Sequence, residues 1–357
     1  MIGESMYAVI MAGGKGERLW PKSGAGKAKH VISLGTRNVM IQETIKRLKE
    51  NLPAENIFLI TARNQFSSLR PYITSLKKEN IILEPFGRDT APAICLSALI
   101  LKKRFGDAAM VILPADHMIK NTKAFFKDLV SAEKAAAKEG NLLTIGIKPA
   151  YPSVGYGYME TGKKFRGYLG IKRFIEKPKR ARAEAFYRNK KYLWNSGIFI
   201  WKTSSILSAM KKYMPDVYYS LEDAVRFEGK SGYALMLENE YSRFKPISID
   251  YAVMEPASKS ERGRIFCVKS NFDWVDIGSW SSVEEIYDKD ADGNIMLSNA
   301  SVIDVKNSII VGDKDHKIGA IGLKNIIIVQ TKSGTLVCDK ARAQEVKDLV
   351  RTFGAFK

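Results

Sequence analysis

The sequence has little cysteine and no long hydrophobic run. Its 357 residues include three cysteines, Cys95, Cys267 and Cys338, which are too few and too scattered for a disulfide framework or a metal knuckle. No uninterrupted apolar run approaches the roughly 20 residues that a membrane-spanning helix needs. The N-terminus shows neither a basic segment nor a signal-peptide cleavage pattern. We therefore expect a cytoplasmic protein that does not associate with a membrane.

Signatures of nucleic-acid binding are also missing, although the chain is strongly basic. It has 57 lysines and arginines against 38 acidic residues, a formal net charge of +19. That charge is spread along the sequence, and no zinc-finger, RNP or basic-zipper pattern accompanies it. A positive electrostatic field attracts small phosphorylated substrates just as it attracts a polynucleotide. We therefore expect no nucleic-acid partner.

The alternation of apolar and amphipathic segments predicts the fold class. From Tyr7 to about Ile147, strand-like runs alternate with helical stretches. This pattern predicts an α/β fold, a Rossmann-like and mostly parallel sheet flanked by helices. Open sheets of this kind bind ligands beyond the carboxyl ends of their strands, where this chain has AGGKG, EPFGRDT and PADH. These three loops are expected to share one cleft.

The first predicted strand runs into a glycine-rich loop, AGGKGERLWP (residues 12–21). Glycines let backbone N–H groups approach phosphate oxygens closely, and Lys15 and Arg18 add positive charge. The pattern fits neither the dinucleotide-binding G-x-G-x-x-G motif nor the P-loop. A tight turn with no ligand is the ordinary alternative.

Two acidic motifs suggest a metal site. Asp116 follows the apolar run VIL at the predicted carboxyl end of a strand, and Asp276 lies in WVDIGSW. Mg²⁺ prefers carboxylate and phosphate oxygens, and a second carboxylate improves a site that has only one. Asp276 could equally be a turn residue before glycine. Asp116 and Asp276 are therefore a candidate pair, whereas His117 is expected to be structural.

Several motifs together resemble the nucleotide-diphospho-sugar pyrophosphorylases, especially the mannose-1-phosphate guanylyltransferases. AGGKGERLWP with Lys29 is similar to their signature loop, and EPFGRDTAPAI (residues 84–94) resembles their guanine-selective motif. The family usually has Gln-Phe after the lysine and Asn at the position of Asp89. Here the lysine stands in Ala28-Lys29-His30-Val31. The matches follow the family's order along nearly the whole chain.

The resemblance implies a Mg²⁺-dependent enzyme that joins GTP to mannose 1-phosphate and releases pyrophosphate. It implies nucleotide contacts from Gly13, Gly14, Lys15, Gly16, Arg18, Lys29, Glu84, Gly87, Arg88, Thr90 and Asp116, and metal ligation by Asp116 and Asp276. FIEKP, GYGYME and WNSGIFIW resemble the family's hexose-phosphate site and imply sugar contacts from Gly157, Glu160, Glu176, Lys177 and Asn195. Arg18, Lys29 and Lys177 are the implied catalytic cations. Asp250 and Glu255 are expected to give structural support.

The resemblance also suggests how the chain is divided. Residues 1–287 are the predicted catalytic domain, with a nucleotide half of about 1–148 and a sugar-binding part of about 149–287. Residues 288–357 are short β-rich segments with a last helix, which predicts a small C-terminal β domain. A short left-handed β-helix is one form it could take, although no repeat of fixed period is evident. A homodimer is compatible with the sequence.

Two alternatives stay open at this point. A sister transferase would use UTP or dTTP with glucose 1-phosphate, which the EPFGRDTAPAI motif argues against. A regulatory homologue would bind sugar nucleotides without catalysis, which the changes at Ala28, His30 and Asp89 make conceivable. Bifunctional relatives carry an isomerase domain after such a tail, whereas this sequence stops soon after its last predicted helix. No isomerase activity is therefore expected.

Overall fold

A computed structural model of the protein describes residues 6–24, 29–33, 38–138, 140–260, 264–313 and 315–354. Ala28, one of the residues at which the chain departs from the family pattern, lies outside these ranges. The strands up to residue 276 are β1 (Met6–Met11), β2 (Ile57–Ala62), β3 (Ile81–Glu84), β4 (Ala109–Pro114), β5 (His117–Ile119), β6 (Leu142–Ile147), β7 (Tyr158–Lys164), β8 (Leu169–Ile175), β9 (Tyr192–Lys202), β10 (Ile265–Lys269) and β11 (Trp274–Asp276).

Nine of these strands form one sheet, in the order β3-β2-β1-β4-β9-β6-β10-β8-β7. Strands β8 and β9 run against the direction of the other seven. All six residues of β2 are buried, as expected for a strand covered on both faces. The predicted α/β fold is confirmed, and most strands of the sheet share one direction, although the two reversed strands make five of the nine pairings antiparallel. Since β9 lies between β4 and β6, the two halves of the predicted catalytic domain share this sheet.

Helices cover both faces of the sheet. They are α1 (Met40–Lys49), α2 (Arg63–Leu69), α3 (Thr90–Phe105), α4 (Thr122–Ala136), α5 (Arg180–Arg188), α6 (Thr203–Tyr213), α7 (Pro215–Arg226), α8 (Tyr233–Arg243), α9 (Glu255–Ser260) and α10 (Val346–Thr352). Alternate residues of β1 belong to opposite cores, Val9 to the α3 side and Ile10 to the α1 side, because successive side chains of a strand point to opposite faces. Within the described ranges, no helix combines the length and the apolar character needed to cross a bilayer.

Five of the six C-terminal strands stack as parallel coils, and the last one pairs antiparallel to the strand before it. The six strands are β12 (Ile295–Leu297), β13 (Asn299–Ile303), β14 (Ile309–Gly312), β15 (Lys317–Ile321), β16 (Ile326–Thr331) and β17 (Gly334–Asp339). Asn299 pairs with Lys317 and Ile309 with Ile327, so each partner stands 18 residues further along the chain. Asn307 and Asn325 repeat at the same spacing, both with positive φ, and Asn307 Nδ2 donates to Asn325 Oδ1 at 2.6 Å. This spacing is a repeat that the sequence pattern did not reveal, because few identical residues accompany it.

The C-terminal strands pack directly against the glycine-rich loop. Leu19 belongs to the same core as Trp280, Ile309 and Ile327, and all four are buried. The Trp280 indole N–H also donates to the Trp20 carbonyl at 2.8 Å. The conformation of the loop therefore depends on a domain at the other end of the chain.

Candidate active site

The loop after β1 is shaped by its glycines. Gly14 and Gly16 have φ angles of 100° and 69°, a region that residues with a Cβ rarely adopt. A Cβ on Gly16 would lie 2.7 Å from Lys29 Cβ, so only glycine allows the lysine backbone to pass there. The Ser23 hydroxyl, fully buried, donates to the Gly16 carbonyl at 2.7 Å and holds the turn. The side facing away from these contacts is open, since nothing lies within 4 Å of a Cβ built on Gly13 or Gly14.

This open side borders a cavity of about 440 Å³. Its lining residues are Gly13, Gly14, Lys15, Gly16, Glu17, Arg18, Lys29, Asp116, Gly278, Lys347 and Arg351. The structure thus brings together seven of the predicted nucleotide contacts, those of the loop with Lys29 and Asp116. Basic side chains outnumber acidic ones in this lining, which suits a polyphosphate.

Asp116 and Asp276 meet because two short strands pair. Strand β11 runs antiparallel to β5, which places Asp276 opposite His117 and therefore beside Asp116. The Ile277 N–H donates to the Asp116 carbonyl at 3.3 Å. Among the described residues, Asp116, His117 and Asp276 form the one group of three possible metal ligands, with ligand atoms within 4.8 Å of one another. The two carboxylates provide the hard oxygen ligands that a divalent cation such as Mg²⁺ requires.

The neighbouring histidine is better suited to a structural role than to ligation. The Trp274 indole N–H donates to His117 Nδ1 at 3.2 Å, so this nitrogen carries the lone pair and Nε2 carries the proton of the neutral ring. Burial lowers the pKa of His117 despite the nearby carboxylates, which keeps the ring neutral. The expectation that His117 is structural agrees with these contacts.

Lys29 lies between the two carboxylates. Its ammonium forms an ion pair with Asp116, and its Nζ is 3.7 Å from Asp276 Oδ1. Burial disfavours the charged lysine, but Asp116 and Asp276 outweigh it and hold the pKa of Lys29 above its usual value. Burial likewise disfavours the Asp116 carboxylate, yet the Lys29 ammonium keeps the pKa of Asp116 low. The lysine thus supplies the positive charge that these carboxylates need.

His30, one of the departures from the family pattern, lies beneath the glycine-rich loop. It is 1% exposed, and burial lowers its pKa to about 4 in spite of Asp116 and the Gly13 backbone. A neutral ring at this place adds no charge to the cavity. The substitution at this position therefore leaves the electrostatics of Lys29 and Asp116 in place.

A second polar cluster contains three of the predicted sugar contacts. Lys177 Nζ is 2.9 Å from Glu176 Oε1, and Lys177 has a φ of 44°, an uncommon value for a residue with a side chain. Burial raises the pKa of Glu176, and Lys177 acts against this. Asn195 Nδ2 donates to Asp250 Oδ1 at 2.8 Å. The Asn195 side-chain carbonyl accepts from the Thr144 hydroxyl at 2.7 Å, so Asn195 is held at both ends.

The two other predicted sugar contacts differ in their surroundings. A Cβ on Gly157 would collide with Glu176 Oε2, so glycine is required for the carboxylate to lie there. Glu160 instead accepts from the Tyr192 hydroxyl at 3.2 Å and lies 3.8 Å from Arg173 Nε. In the pairing of β7 with β9, Tyr158 lies opposite Trp194, next to Asn195, whereas Glu160 lies two residues further along, opposite Tyr192. Glu160 is therefore separated from the cluster of Glu176, Lys177, Asn195 and Asp250.

Asp250 is the residue of this cluster to which the sequence assigned only structural support. It begins a turn of π-helix, Asp250–Met254, a rare conformation that often occurs at functional sites. Burial and the Glu176 charge raise the pKa of Asp250 to about 7. The one sequence signal was the motif IDYAVME, whose acidic residues have no periodicity that would mark them as functional.

The EPFGRDT segment lies at the same edge of the sheet but faces another partner. Glu84 is buried and accepts from the Tyr241 hydroxyl at 3.2 Å, while Arg88 Nε donates to the Tyr241 carbonyl at 2.9 Å. Asp89 caps α3 by accepting from the Thr90 N–H at 2.7 Å.

The same segment is also tied to the cluster containing Asp250. The Thr90 hydroxyl accepts from the Ile249 N–H at 2.9 Å, and the Ile247 N–H donates to the Arg88 carbonyl at 3.2 Å. Gly87 is exposed, and a Cβ on it would meet nothing within 4 Å. The first and third loops line the cavity, whereas Glu84 and Arg88 of the second loop contact α8. That all three loops share one cleft stays a prediction.

Aromatic rings connect the pair Asp116 and Asp276 with the second polar cluster, Glu176, Lys177, Asn195 and Asp250, which we call the sugar-side cluster. The ring centroids of His117 and Trp274 are 5.2 Å apart, those of Trp274 and Tyr156 5.3 Å, and those of Tyr156 and Trp194 5.0 Å. Trp274 precedes Asp276 by two residues, and Trp194 precedes Asn195 by one. Two groups of ionisable side chains thus lie at the ends of one rigid wall, an arrangement suited to a substrate pair that carries phosphates and a polar ring.

Comparisons with known proteins agree with this geometry. The sequence model of a family described as nucleotidyl transferase matches residues 7–293, and that of a MannoseP isomerase/GMP-like beta-helix domain matches residues 298–353. The chain is 37% identical over 352 residues to mannose-1-phosphate guanylyltransferases of Klebsiella pneumoniae and of Escherichia coli, covering 97% of this chain and 73% of each relative. It is also similar to the crystal structure described as mannose-1-phosphate geranyltransferase from Thermus thermophilus, with a TM-score of 0.88, 30% identity and coverage of 98% of this chain and 100% of that one.

The buried Glu84 carboxyl predicts a pH dependence of stability. Burial raises the pKa of Glu84 from a usual 4.5 to about 8, although the Tyr241 hydrogen bond favours its charged form. Between these pH values the unfolded chain releases a proton that the folded protein keeps, so the free energy of unfolding falls as the pH rises. Asp250 contributes to the same fall, so Glu84→Gln should reduce it without abolishing it, by more than about 1 kcal/mol. Urea unfolding at pH 5 and pH 8.5 measures it.

The exposed Glu79 provides the matched control. Glu79→Gln should leave the difference between pH 5 and pH 8.5 as it is in the wild type. If Glu84→Gln and the wild type lost the same stability between these pH values, the buried carboxyl would not be the group responsible.

Proposed function

Because the chain belongs to the nucleotidyl transferase family, we propose that it transfers a guanylyl group from GTP to α-D-mannose 1-phosphate, giving GDP-mannose and pyrophosphate. The observation that carries this function is the cavity in which the glycine-rich loop, its basic residues and Asp116 meet. A triphosphate fits such a lining, since backbone N–H groups and cations both bind phosphate oxygens.

The reaction needs positioning and charge neutralisation but no covalent intermediate. A phosphate oxygen of mannose 1-phosphate attacks the α-phosphorus of GTP, and the bond from that phosphorus to the bridging oxygen breaks as pyrophosphate leaves. Lys15 and Arg18 line the cavity where the leaving group would lie, and they neutralise its growing charge. Because the two substrates would be bound side by side, the attack would become an effectively unimolecular step.

Asp116 and Asp276 are the residues that would hold Mg²⁺. Bound there, the cation would polarise phosphate oxygens and neutralise charge on the transferred group. Lys29 now provides the positive charge beside both carboxylates. If a cation took over that role, the Lys29 ammonium would be able to bind a phosphate oxygen of the nucleotide.

The second cluster suits the sugar phosphate. Lys177 is half exposed at 52% and holds its ammonium above the buried Glu176, so it can receive a phosphate dianion from the solvent side. Asn195 and Asp250 form a fixed hydrogen-bonding pair beside it, suited to hexose hydroxyls. We propose Asp250 for the role given to Glu160 in the sequence prediction, because Glu160 is engaged by Tyr192 and Arg173.

The remaining predictions concern the nucleobase, the location and the assembly. We propose that the EPFGRDT loop forms the guanine pocket. Its residues Glu84, Gly87, Arg88 and Thr90 hold the loop in shape, and only some of them would contact the base directly. Cytoplasmic location, a homodimer and the lack of a nucleic-acid partner stay predictions.

A substrate grid tests the proposed function. Pyrophosphate release is measured for GTP, ATP, UTP and dTTP, each with mannose 1-phosphate and glucose 1-phosphate, with MgCl₂ or with excess chelator. GTP with mannose 1-phosphate and MgCl₂ should give the highest kcat/KM. Faster turnover of UTP or dTTP with glucose 1-phosphate would replace this function by that of a sister transferase. No turnover in any combination would favour a regulatory homologue.

Removal of the second carboxylate should affect activity far more than folding. Asp276→Asn should lower kcat by about 100-fold or more, because a charged ligand of the metal is lost. Its effect on Tm should be small, since 29% of the Asp276 side chain is exposed. Turnover across a range of MgCl₂ concentrations, with Tm in parallel, measures both. Asp273→Asn, an exposed change three residues earlier, should behave as wild type.

The role of Lys177 predicts a separation between the two substrates. Lys177→Ala should lower kcat/KM for mannose 1-phosphate by about 10- to 300-fold, because the phosphate loses its counter-charge. The affinity for GTP should change little. Titration of each substrate separately measures the two effects. Lys179→Ala, at an exposed lysine two residues on, is the control. Weakened GTP binding with normal handling of mannose 1-phosphate would show that the two pockets are assigned the wrong way round.

A further inference from the structure

The cavity beside the glycine-rich loop has one wall that none of the loop motifs explains. Lys347 and Arg351 line it together with Lys15, Arg18 and Lys29. Both residues lie on α10, at the far end of the sequence from the loop. Two cations from the C-terminal domain therefore face the space where the phosphates of a nucleotide would lie.

The apolar side of α10 explains why these cations face the cavity. Val346 and Val350 are buried in the same core as Leu19 of the loop. Residues four apart share one face of a helix, and the next residues along lie about 100° further round it. Lys347 and Arg351 each follow one of the anchored valines, so they form a second stripe beside the contact with the loop.

Two further contacts hold the helix against the loop. Arg351 Nη2 lies 3.5 Å from Glu17 Oε2, and the rings of Phe353 and Trp20 have centroids 5.5 Å apart. Within the described part of the chain, the Lys347 ammonium has no hydrogen-bond or ion-pair partner. Arg351 is 63% exposed, so its guanidinium can change partners at little cost.

We propose that Lys347 and Arg351 bind the terminal phosphates of the nucleoside triphosphate, and hence the pyrophosphate that leaves, which makes α10 part of the nucleotide site. The inference rests on the proposed function, because it assumes that a triphosphate enters this cavity. The charge of the lining supports it. Since Lys29 neutralises Asp116, the C-terminal helix supplies much of the excess positive charge around the loop.

Glu17 then competes with the phosphate for the Arg351 guanidinium. An entering phosphate offers a guanidinium two oxygens in a planar, bidentate arrangement, which a carboxylate held at 3.5 Å by one contact does not match. Binding of the phosphate exchanges the Glu17 partner for the ligand. Removing the Glu17 charge should therefore strengthen pyrophosphate binding.

Calorimetric titration of the full chain with sodium pyrophosphate, at fixed MgCl₂, tests the inference without turnover. Lys347→Ala and Arg351→Ala should each raise the Kd about 5- to 20-fold, since partly exposed charge-assisted contacts are lost. Arg351→Lys should restore part of the affinity. Glu17→Gln should lower the Kd. Arg342→Ala, at an exposed arginine of the same domain that pairs with Glu345, should remain within about twofold of wild type.

Kinetics of the reverse reaction distinguish ligand binding from a structural effect. In Lys347→Ala and Arg351→Ala, the KM for pyrophosphate should rise while the KM for GDP-mannose stays near that of the wild type. Loss of affinity for both substrates with a lowered Tm would overturn the inference in favour of a packing role.

The role of α10 and the proposed guanylyl transfer can be tested separately. Wild-type affinity for pyrophosphate in both variants, in an enzyme that turns over GTP and mannose 1-phosphate, would overturn only the role of α10. Pyrophosphate binding that depends on both residues, in a protein without guanylyl transfer, would support the site while the proposed function failed.

Discussion

Two carboxylates held close together in a largely enclosed place require a cation, and the site is arranged around this requirement. Pairing of β5 with β11 brings Asp276 beside Asp116, where their charges would repel each other strongly away from water. Lys29 meets the requirement in this structure. The close approach of Lys29 in turn requires Gly16. The glycine-rich loop, the lysine and the acidic pair are therefore one electrostatic unit.

The sugar-side cluster follows the same physical rule. Glu176 and Asp250 are acids whose pKa values burial raises, and Lys177 is the cation that opposes this. A phosphate arriving at Lys177 would alter the charge balance of both acids. The aromatic wall from His117 to Trp194 lies between the two clusters.

The C-terminal β domain packs against the glycine-rich loop. Leu19 is buried among residues of the C-terminal coils, and α10 lines one side of the cavity beside the loop. The loop is therefore shaped from both ends of the chain, by β1 before it and by a domain that follows residue 288. This arrangement explains why a β domain that lacks the acidic site residues accompanies the catalytic sheet.

The sequence by itself determined the α/β class, the glycine-rich loop and the position of Asp116 at a strand end, because hydrophobic periodicity and strand direction are local properties. Only the tertiary structure decided that Glu84 and Arg88 contact α8, that Asp250 joins the sugar-side cluster, that coils pair at an 18-residue spacing and that α10 borders the cavity. The partner of a polar side chain depends on which distant segment packs against it, and the local pattern of residues carries no information about that choice.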